Sequence, residues 1–125
     1  MSMYKGIEHT AIATPDPEAL ASWYDRILNF PIVHRYAGNV FVKAPDDTML
    51  EIIPSEGDQA ETQMKTPGIR HLAISVDDFE AGKKDLESKG VEIVQEVNAS
   101  GNRLAFFLDP EGNILHLIHR ETPIV

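Results

Sequence analysis

The chain has 125 residues, of which 42% are apolar and 25% are charged, a balance typical of a single globular domain rather than a disordered chain. Its net charge of −9 argues against binding to nucleic acid or to an anionic membrane, so we expect a small-molecule ligand. The absence of cysteine excludes disulfide bonds, thiolate metal clusters and a cysteine nucleophile.

Neither a membrane span nor a secretory signal is expected. The chain has no run of about 18 apolar residues. The N-terminal segment Met-Ser-Met-Tyr-Lys-Gly also lacks the apolar core of a signal peptide. We therefore expect a cytoplasmic protein.

The first half predicts a strand, a helix and three further strands. Residues 6–13 have strand character, and Asp16 followed by Pro17 marks the N-terminus of a helix. Apolar residues then recur at helical spacing, and the helix is predicted to end at Asn29. The three strands that follow are predicted near 31–36, 39–44 and 48–53.

The second half predicts the same order of elements. Residues 69–76 form a strand, and a helix begins after Asp77-Asp78 and ends at Gly90. The remaining strands are predicted at 91–96, 103–108 and 113–119, with a strong turn signal in Pro-Glu-Gly-Asn before the last one. We predict one domain over 1–125, with module one at about 5–54, a linker at 55–67 and module two at about 68–120.

The two halves also repeat each other in sequence. The first strands align at an offset of 62 residues, which matches His9 with His71. Later segments align at offsets of 61 and 65, and the second of these matches Glu51 with His116. Chance similarity of short apolar segments is a weaker explanation, because the matches keep their order over most of both halves. We predict an α+β fold of two tandem βαβββ modules.

The repeated positions share an open strand face. Side chains alternate between the faces of a strand, so the strand at 69–76 places His71 opposite the bulky Leu72 and Ile74, with small residues beside it. His9 has the same placement in the first half. These faces leave room for a ligand, whereas the bulky faces are expected to pack against the helices.

Glu51 supplies the strongest indication of a metal. It lies between two apolar residues of a strand, where a carboxylate requires a partner because its desolvation is costly. A metal cation is one partner, and Arg70 or Arg103 is the alternative. A lone histidine is more often structural than a ligand, but equivalent positions in two repeats favour one divalent-metal site. The predicted ligands are His9, Glu51, His71 and His116.

Two other histidines do not share this pattern. His34 has no acidic or histidine counterpart in the other half, and His119 lies on the strand face opposite His116. We interpret both as structural or surface residues.

Three segments carry a resemblance to a known family: IEHTAIATPDPEALASWYDRIL, GIRHLAISVDDFEAGKKDLESKGVEI and AFFLDPEGNILHLI. They are similar to the vicinal oxygen chelate superfamily, also called the glyoxalase/bleomycin resistance protein/dioxygenase group, over nearly the whole chain. The resemblance implies paired modules whose curved, cup-like mixed sheet holds a metal, with the helices outside. It also implies one ligand from the first strand and one from the last strand of each module, which are the four positions above.

The resemblance further implies a metal-dependent lyase, isomerase or dioxygenase acting on a small oxygenated substrate chelated through adjacent oxygens. Three imidazoles and one carboxylate suit zinc, nickel, iron, manganese or cobalt. Glu51 is the candidate catalytic residue, because a carboxylate can move a proton. His116 stands where the family usually has glutamate, which argues against strict lactoylglutathione lyase activity. Candidates to bind a glutathione carboxylate singly are Arg26, Arg35 and Arg103.

Two alternatives remain open at this point. One is a non-catalytic binding or sequestering protein of the bleomycin-resistance type, which needs no protein-bound metal. The other is a purely structural metal, which is less favoured because closed structural sites prefer cysteine-rich coordination. The resemblance also implies a homodimer.

Overall fold

The computed structural model of the protein describes residues 3–59 and 63–124. The chain separates into two compact units, Met1–Gln59 and Ala60–Val125, and the boundary falls within the predicted linker. Within its described residues, each unit consists of one helix and one four-stranded mixed sheet. The prediction of two βαβββ modules in an α+β fold is confirmed.

Module one contains its elements in the predicted order. They are β1 (His9–Thr14), α1 (Pro17–Leu28), β2 (Ile32–Tyr36), β3 (Asn39–Lys43) and β4 (Met49–Pro54). The side chain of Asp16 caps α1 by accepting a hydrogen bond from the backbone N–H of Ala19 at 3.1 Å. Asn29 ends the helix in the left-handed conformation, with φ of 58°. The predicted helix boundaries are therefore confirmed at both ends.

Module two contains β5 (His71–Ser75), α2 (Phe79–Ser88), β6 (Gln95–Ala99), β7 (Asn102–Leu108) and β8 (Ile114–Arg120). Asp78 caps α2 through the backbone N–H of Ala81 at 3.0 Å, as Asp16 does in module one. Gly90 follows the helix with φ of 84°, a conformation that favours glycine. The capped helix start and the terminal glycine agree with the sequence prediction.

The second predicted strand of module two was misplaced. A strand was expected at 91–96, but β6 begins at Gln95. The backbone N–H of Val91 donates to the carbonyl of Leu86 at 3.0 Å, which keeps the chain against the end of α2 after Gly90. The chain first reaches the neighbouring strand at Val94, whose N–H donates to the carbonyl of Phe106 at 2.8 Å. Apolar alternation could not reveal this helix-terminal contact.

The two sheets have the same topology. Their strand orders are β1-β4-β3-β2 and β5-β8-β7-β6. In each sheet the first strand pairs in parallel with the last strand of its module, and the other pairs are antiparallel. The first and last strands of a module are therefore direct neighbours, and their side chains on one face can meet.

Each helix lies close to its own sheet. α1 contacts β3 and β4, where Val40, Val42 and Ile52 are buried, and α2 contacts β8. Trp23 of α1 is only 9% exposed and belongs to this core. None of the helices in the described ranges is long and apolar enough to cross a bilayer.

Candidate metal centre

The first pair of predicted ligands is His9 on β1 and Glu51 on β4. The register places the small Ala11 beside Glu51, which leaves space for the imidazole to lean across. Nε2 of His9 lies 3.5 Å from Oε1 of Glu51, and the two side chains are 36% and 21% exposed. The pair therefore occupies the open face of the strands that alternation predicts.

The second pair is His71 on β5 and His116 on β8. The register again places an alanine, Ala73, beside the late-strand ligand. The two imidazole rings lie with their centroids 4.8 Å apart and their planes inclined by 46°. His71 is exposed, whereas His116 is only 3% exposed. Module two thus brings together two imidazoles, one open to solvent and one buried.

A phenylalanine stands at the same place beside each pair. Phe41 of β3 is the register partner of Glu51 and meets His9 edge-on, with ring centroids 5.7 Å apart and planes at 79°. Phe106 of β7 is the register partner of His116 and meets His71 edge-on, at 6.5 Å and 78°. The sequence repeat therefore reproduces a three-dimensional arrangement of alanine, polar side chain and phenylalanine across neighbouring strands.

The surroundings of His116 determine which of its nitrogens is available. Its Nδ1 lies 3.1 Å from the carbonyl oxygen of Leu117, so a neutral ring that donates this bond leaves the lone pair of Nε2 free. Burial lowers the pKa of His116, the bond to Leu117 opposes this change, and repulsion from His71 lowers the pKa further. A neutral imidazole with a free ring nitrogen is the form that binds a metal.

The donor atoms of the pair in module one are compatible with a divalent metal. Bonds of about 2.1 Å at ordinary coordination angles place two donor atoms about 3–3.5 Å apart, and the His9–Glu51 separation of 3.5 Å lies at the upper end of this range. Nitrogen and carboxylate oxygen are also suitable donors for the predicted ions. Across residues 3–59 and 63–124, no three His, Asp or Glu side chains come close enough to hold an ion. Each module by itself brings together one pair of the predicted ligands.

Two arginines named in the sequence analysis, Arg35 and Arg103, bind carboxylates of the helices. Arg35 donates two hydrogen bonds to Glu18 of α1, at 2.6 and 3.1 Å, and Arg103 donates to Glu80 of α2 at 2.5 Å. Arg103 therefore has a carboxylate partner within its own module. Nε of Arg70 is buried and has no hydrogen-bond partner among the described residues.

The structure agrees with the prediction for His119 and adds an unexpected neighbour for His34. Nδ1 of His119 lies 3.1 Å from the carbonyl oxygen of Val76, which agrees with a structural residue. His34 is exposed, as expected, but its register partner is Phe41 and their ring centroids lie 5.7 Å apart. His34 thus shares the sheet face of Glu51, a relation that only the strand register reveals.

Two further polar contacts escaped the sequence prediction. Oε1 of Glu8 lies 2.9 Å from Nδ1 of His9, and Nδ2 of Asn39 donates to Oε2 of Glu51 at 3.4 Å. The adjacency of Glu8 and His9 in the sequence was a signal that could have been used. The contact of Asn39 depends on a diagonal between β3 and β4, and no local pattern announces it.

Comparison with known proteins gives one consistent family. A family model described as the Glyoxalase/Bleomycin resistance protein/Dioxygenase superfamily matches residues 6–117. The uncharacterized protein YaeR of Escherichia coli (strain K12) is 31% identical over 123 residues, which cover 90% of this chain and 95% of YaeR.

Solved structures share the fold. Oxidase ChaP-H2 superposes with a TM-score of 0.75 at 24% identity, over 94% of this chain and 95% of that chain. A lactoylglutathione lyase from Agrobacterium tumefaciens superposes with a TM-score of 0.73 at 21% identity, over the same shares of the two chains. At these identities the likeness establishes the fold alone.

Proposed function

The chain belongs to the glyoxalase/bleomycin resistance protein/dioxygenase superfamily, and from this premise we propose that it is a metal-dependent enzyme. Its substrate is a small oxygenated molecule that binds through two adjacent oxygens, and its reaction is that of a lyase, an isomerase or a dioxygenase. The proposed metal ligands are His9, Glu51, His71 and His116.

The repeated register is the observation that carries this proposal. Glu51 and His116 each lie beside an alanine of the first strand and a phenylalanine of the third strand. Packing alone gives no reason to keep a polar side chain at this position in both modules, since burial of a polar group is costly. A shared role in binding one cation accounts for both.

The composition of the set defines the chemistry. Three neutral imidazoles and one carboxylate suit a borderline divalent ion such as zinc, nickel, iron, manganese or cobalt. When bound, such an ion supplies Lewis-acid stabilisation of an enolate or similar anion on the chelated substrate.

Glu51 is the proposed catalytic residue. It is the single carboxylate of the set, and its 21% exposure leaves the carboxylate accessible from the open face. Oε1 lies 3.5 Å from Nε2 of His9, and this supports Oε1 as the oxygen that binds the metal or takes a proton from the substrate. Phe41 and Phe106 contact His9 and His71 edge-on, so each pair has an apolar ring on one side, and a water-poor side would strengthen electrostatic interactions there.

The first test is the metal content of gently purified protein, measured by elemental mass spectrometry. We expect roughly one equivalent of a transition metal per chain, lost in His71→Ala. His34→Ala is the matched control, because it removes an exposed imidazole outside the proposed ligand set and should retain the metal. The identity of the metal would separate redox from Lewis-acid chemistry.

The opposite outcome favours another function. If wild-type protein stays free of metal after reconstitution with each candidate ion, the enzyme proposal fails. The non-catalytic binding protein of the bleomycin-resistance type would then be the better account, and it should bind its ligand in the presence of a chelator. We also propose that the protein is cytoplasmic and forms a homodimer, on the strength of the family resemblance.

A further inference from the structure

The two ligands of module one each have a second polar partner. Nδ1 of His9 lies 2.9 Å from Oε1 of Glu8, on the side of the ring away from Glu51. Oε2 of Glu51 accepts a hydrogen bond from Nδ2 of Asn39 at 3.4 Å, while Oε1 lies toward His9. Each ligand is therefore held by one of its polar atoms and leaves the other available.

The hydrogen-bond donors and acceptors fix which atoms remain available. A neutral imidazole has one N–H and one lone pair, and a carboxylate at Nδ1 can only accept, so it selects the form with the proton on Nδ1. The lone pair is then on Nε2, the nitrogen nearer Glu51. The amide of Asn39 can donate only to the oxygen that it reaches, so Oε1 of Glu51 stays free.

We propose that Glu8 and Asn39 are positioning residues that present Nε2 of His9 and Oε1 of Glu51 to the metal. The metal-binding part of this inference rests on the proposed function, whereas the orientation of His9 by Glu8 exists in the metal-free protein. Partners of this kind fix ring orientation and raise the basicity of the ligand, and their loss typically costs about 10- to 100-fold in metal affinity.

Among residues 63–124, module two has no equivalent of this arrangement. At the repeat offset, the position of Glu8 is taken by Arg70 and the position of Asn39 by Leu104. A guanidinium has no acceptor atom, and leucine has no polar atom, so neither can hold a ligand in the same way. His116 uses the backbone carbonyl of Leu117 instead. The partners of His9 and Glu51 therefore come from the sequence of module one, because the repeated fold alone does not supply them.

The test uses the variants Glu8→Ala, Glu8→Gln and Asn39→Ala in the full chain. Cobalt and zinc affinities are measured by competition with a chelator. We expect losses of about 10- to 100-fold for Glu8→Ala and of the lower part of this range for Asn39→Ala, whose bond is longer. Glu8→Gln should be affected less than Glu8→Ala, because the amide oxygen can still accept from Nδ1. Glu56→Gln is the control, since Glu56 follows the opposite end of β4 and carries the same charge.

The second readout needs no metal. Nitrogen NMR shifts of the His9 ring in metal-free protein, recorded where the ring is neutral, report which nitrogen carries the proton. We expect the proton on Nδ1 in wild type and a shift toward Nε2 in Glu8→Ala, while circular dichroism shows that the variant stays folded. An unchanged proton position in Glu8→Ala would overturn the role of Glu8.

The two readouts separate two kinds of failure. Wild-type protein that binds neither cobalt nor zinc would defeat the proposed function and the metal role of both residues, while the NMR result would still decide whether Glu8 orients His9. Wild-type protein that binds metal, with unchanged affinity in Glu8→Ala and Asn39→Ala, would contradict the positioning role alone.

Discussion

The two modules place their proposed ligands at the same backbone positions but in different surroundings. In module one, a histidine and a carboxylate are partly exposed and are held by two polar side chains. In module two, a buried histidine and an exposed one meet beside an aromatic ring, and the buried ring uses a backbone carbonyl. The repeated sheet therefore fixes the backbone positions of these four side chains, while the charge and hydrogen bonding at each position can differ between the modules.

The helices differ in the same way. At the repeat offset, Leu20 of α1 corresponds to Gly82 of α2. Leu20 is 2% exposed within a group of large buried residues that includes Trp23 and Tyr24. A Cβ atom added to Gly82 would lie 3.2 Å from Leu117 and 3.3 Å from Val76, so α2 lies close against its sheet. In module one, large side chains fill the space between helix and sheet. In module two, the helix backbone lies close to the sheet at Gly82, so little space is left there.

The largest expected effect comes from removing this filling in module one. Leu20→Ala should lower the free energy of unfolding by about 2–5 kcal/mol, because it deletes buried carbons and leaves a cavity between α1 and the sheet. Urea unfolding followed by the fluorescence of Trp23, the chain's single tryptophan, measures the loss. A loss below about 1 kcal/mol would mean that the cavity collapses at little cost.

The reciprocal variant sharpens the comparison. Gly82→Leu places the residue of module one into the closed space of module two, where even a Cβ atom is crowded by Leu117 and Val76. Overpacking of this kind typically costs about 1–3 kcal/mol. A stabilising effect, measured by circular dichroism during urea unfolding, would show that α2 is not held as close as the structure indicates.

The third prediction exchanges the side chain at one proposed ligand position. His116→Glu gives module two the imidazole and carboxylate of module one, but at a site that is only 3% exposed and that offers Leu117 only as an acceptor. In metal-free protein we expect a loss of about 1–3 kcal/mol, the cost of a buried polar group without a suitable partner. Urea unfolding with a chelator measures this loss, and added metal should recover part of it.

The matched control is Gln95→Glu. Gln95 of β6 is exposed, and its register partner on β7 is Phe106, which is also the register partner of His116 on β8. The variant therefore adds the same charge in line with His116 across the sheet. It should change the free energy of unfolding by much less than His116→Glu. If both variants lost the same free energy of unfolding, the added negative charge would explain the effect. The burial of His116 would then not matter.

The sequence was sufficient for the repeat, the helix caps and the faces of the strands. Offsets between matched residues paired His9 with His71, and alternation placed both on open faces, because side-chain direction follows from strand geometry alone. Asp16 and Asp78 were recognisable as caps because the capping bond spans only three residues. These features depend on neighbours in the chain.

Features that depend on distant partners were missed. The start of β6 is set by the bond of Val91 to the end of α2, and the contact of Asn39 with Glu51 depends on strand register. Arg35 and Arg103 bind glutamates of the helices, and these partners could not be chosen from the sequence either. The chain is acidic and offers many carboxylates. The proposed metal ligation itself stays a prediction.

The smallest expected effect compares the ion pairs that join helix and sheet. The hydrogen bond from Arg35 lowers the pKa of Glu18, and the one from Arg103 lowers the pKa of Glu80, both from an ordinary value of 4.5. Because each pKa is lower in the folded state, each pair stabilises the protein above the unfolded-state pKa, and this contribution is lost as the pH falls through the folded-state pKa. Both pairs are exposed, so the effects are small.

The two arginines should nevertheless differ in acid. Arg103 also lies over the ring of Phe79, with its guanidinium carbon 4.2 Å from the ring centroid, and this contact does not depend on a carboxylate. We expect Arg35→Gln and Arg103→Gln to lower stability at neutral pH, and the loss in Arg35→Gln to vanish once Glu18 is protonated. Part of the loss in Arg103→Gln should persist. Unfolding curves over a pH series, down to the lowest pH at which the protein stays folded, measure this; equal disappearance of both losses would mean that the Phe79 contact contributes nothing measurable.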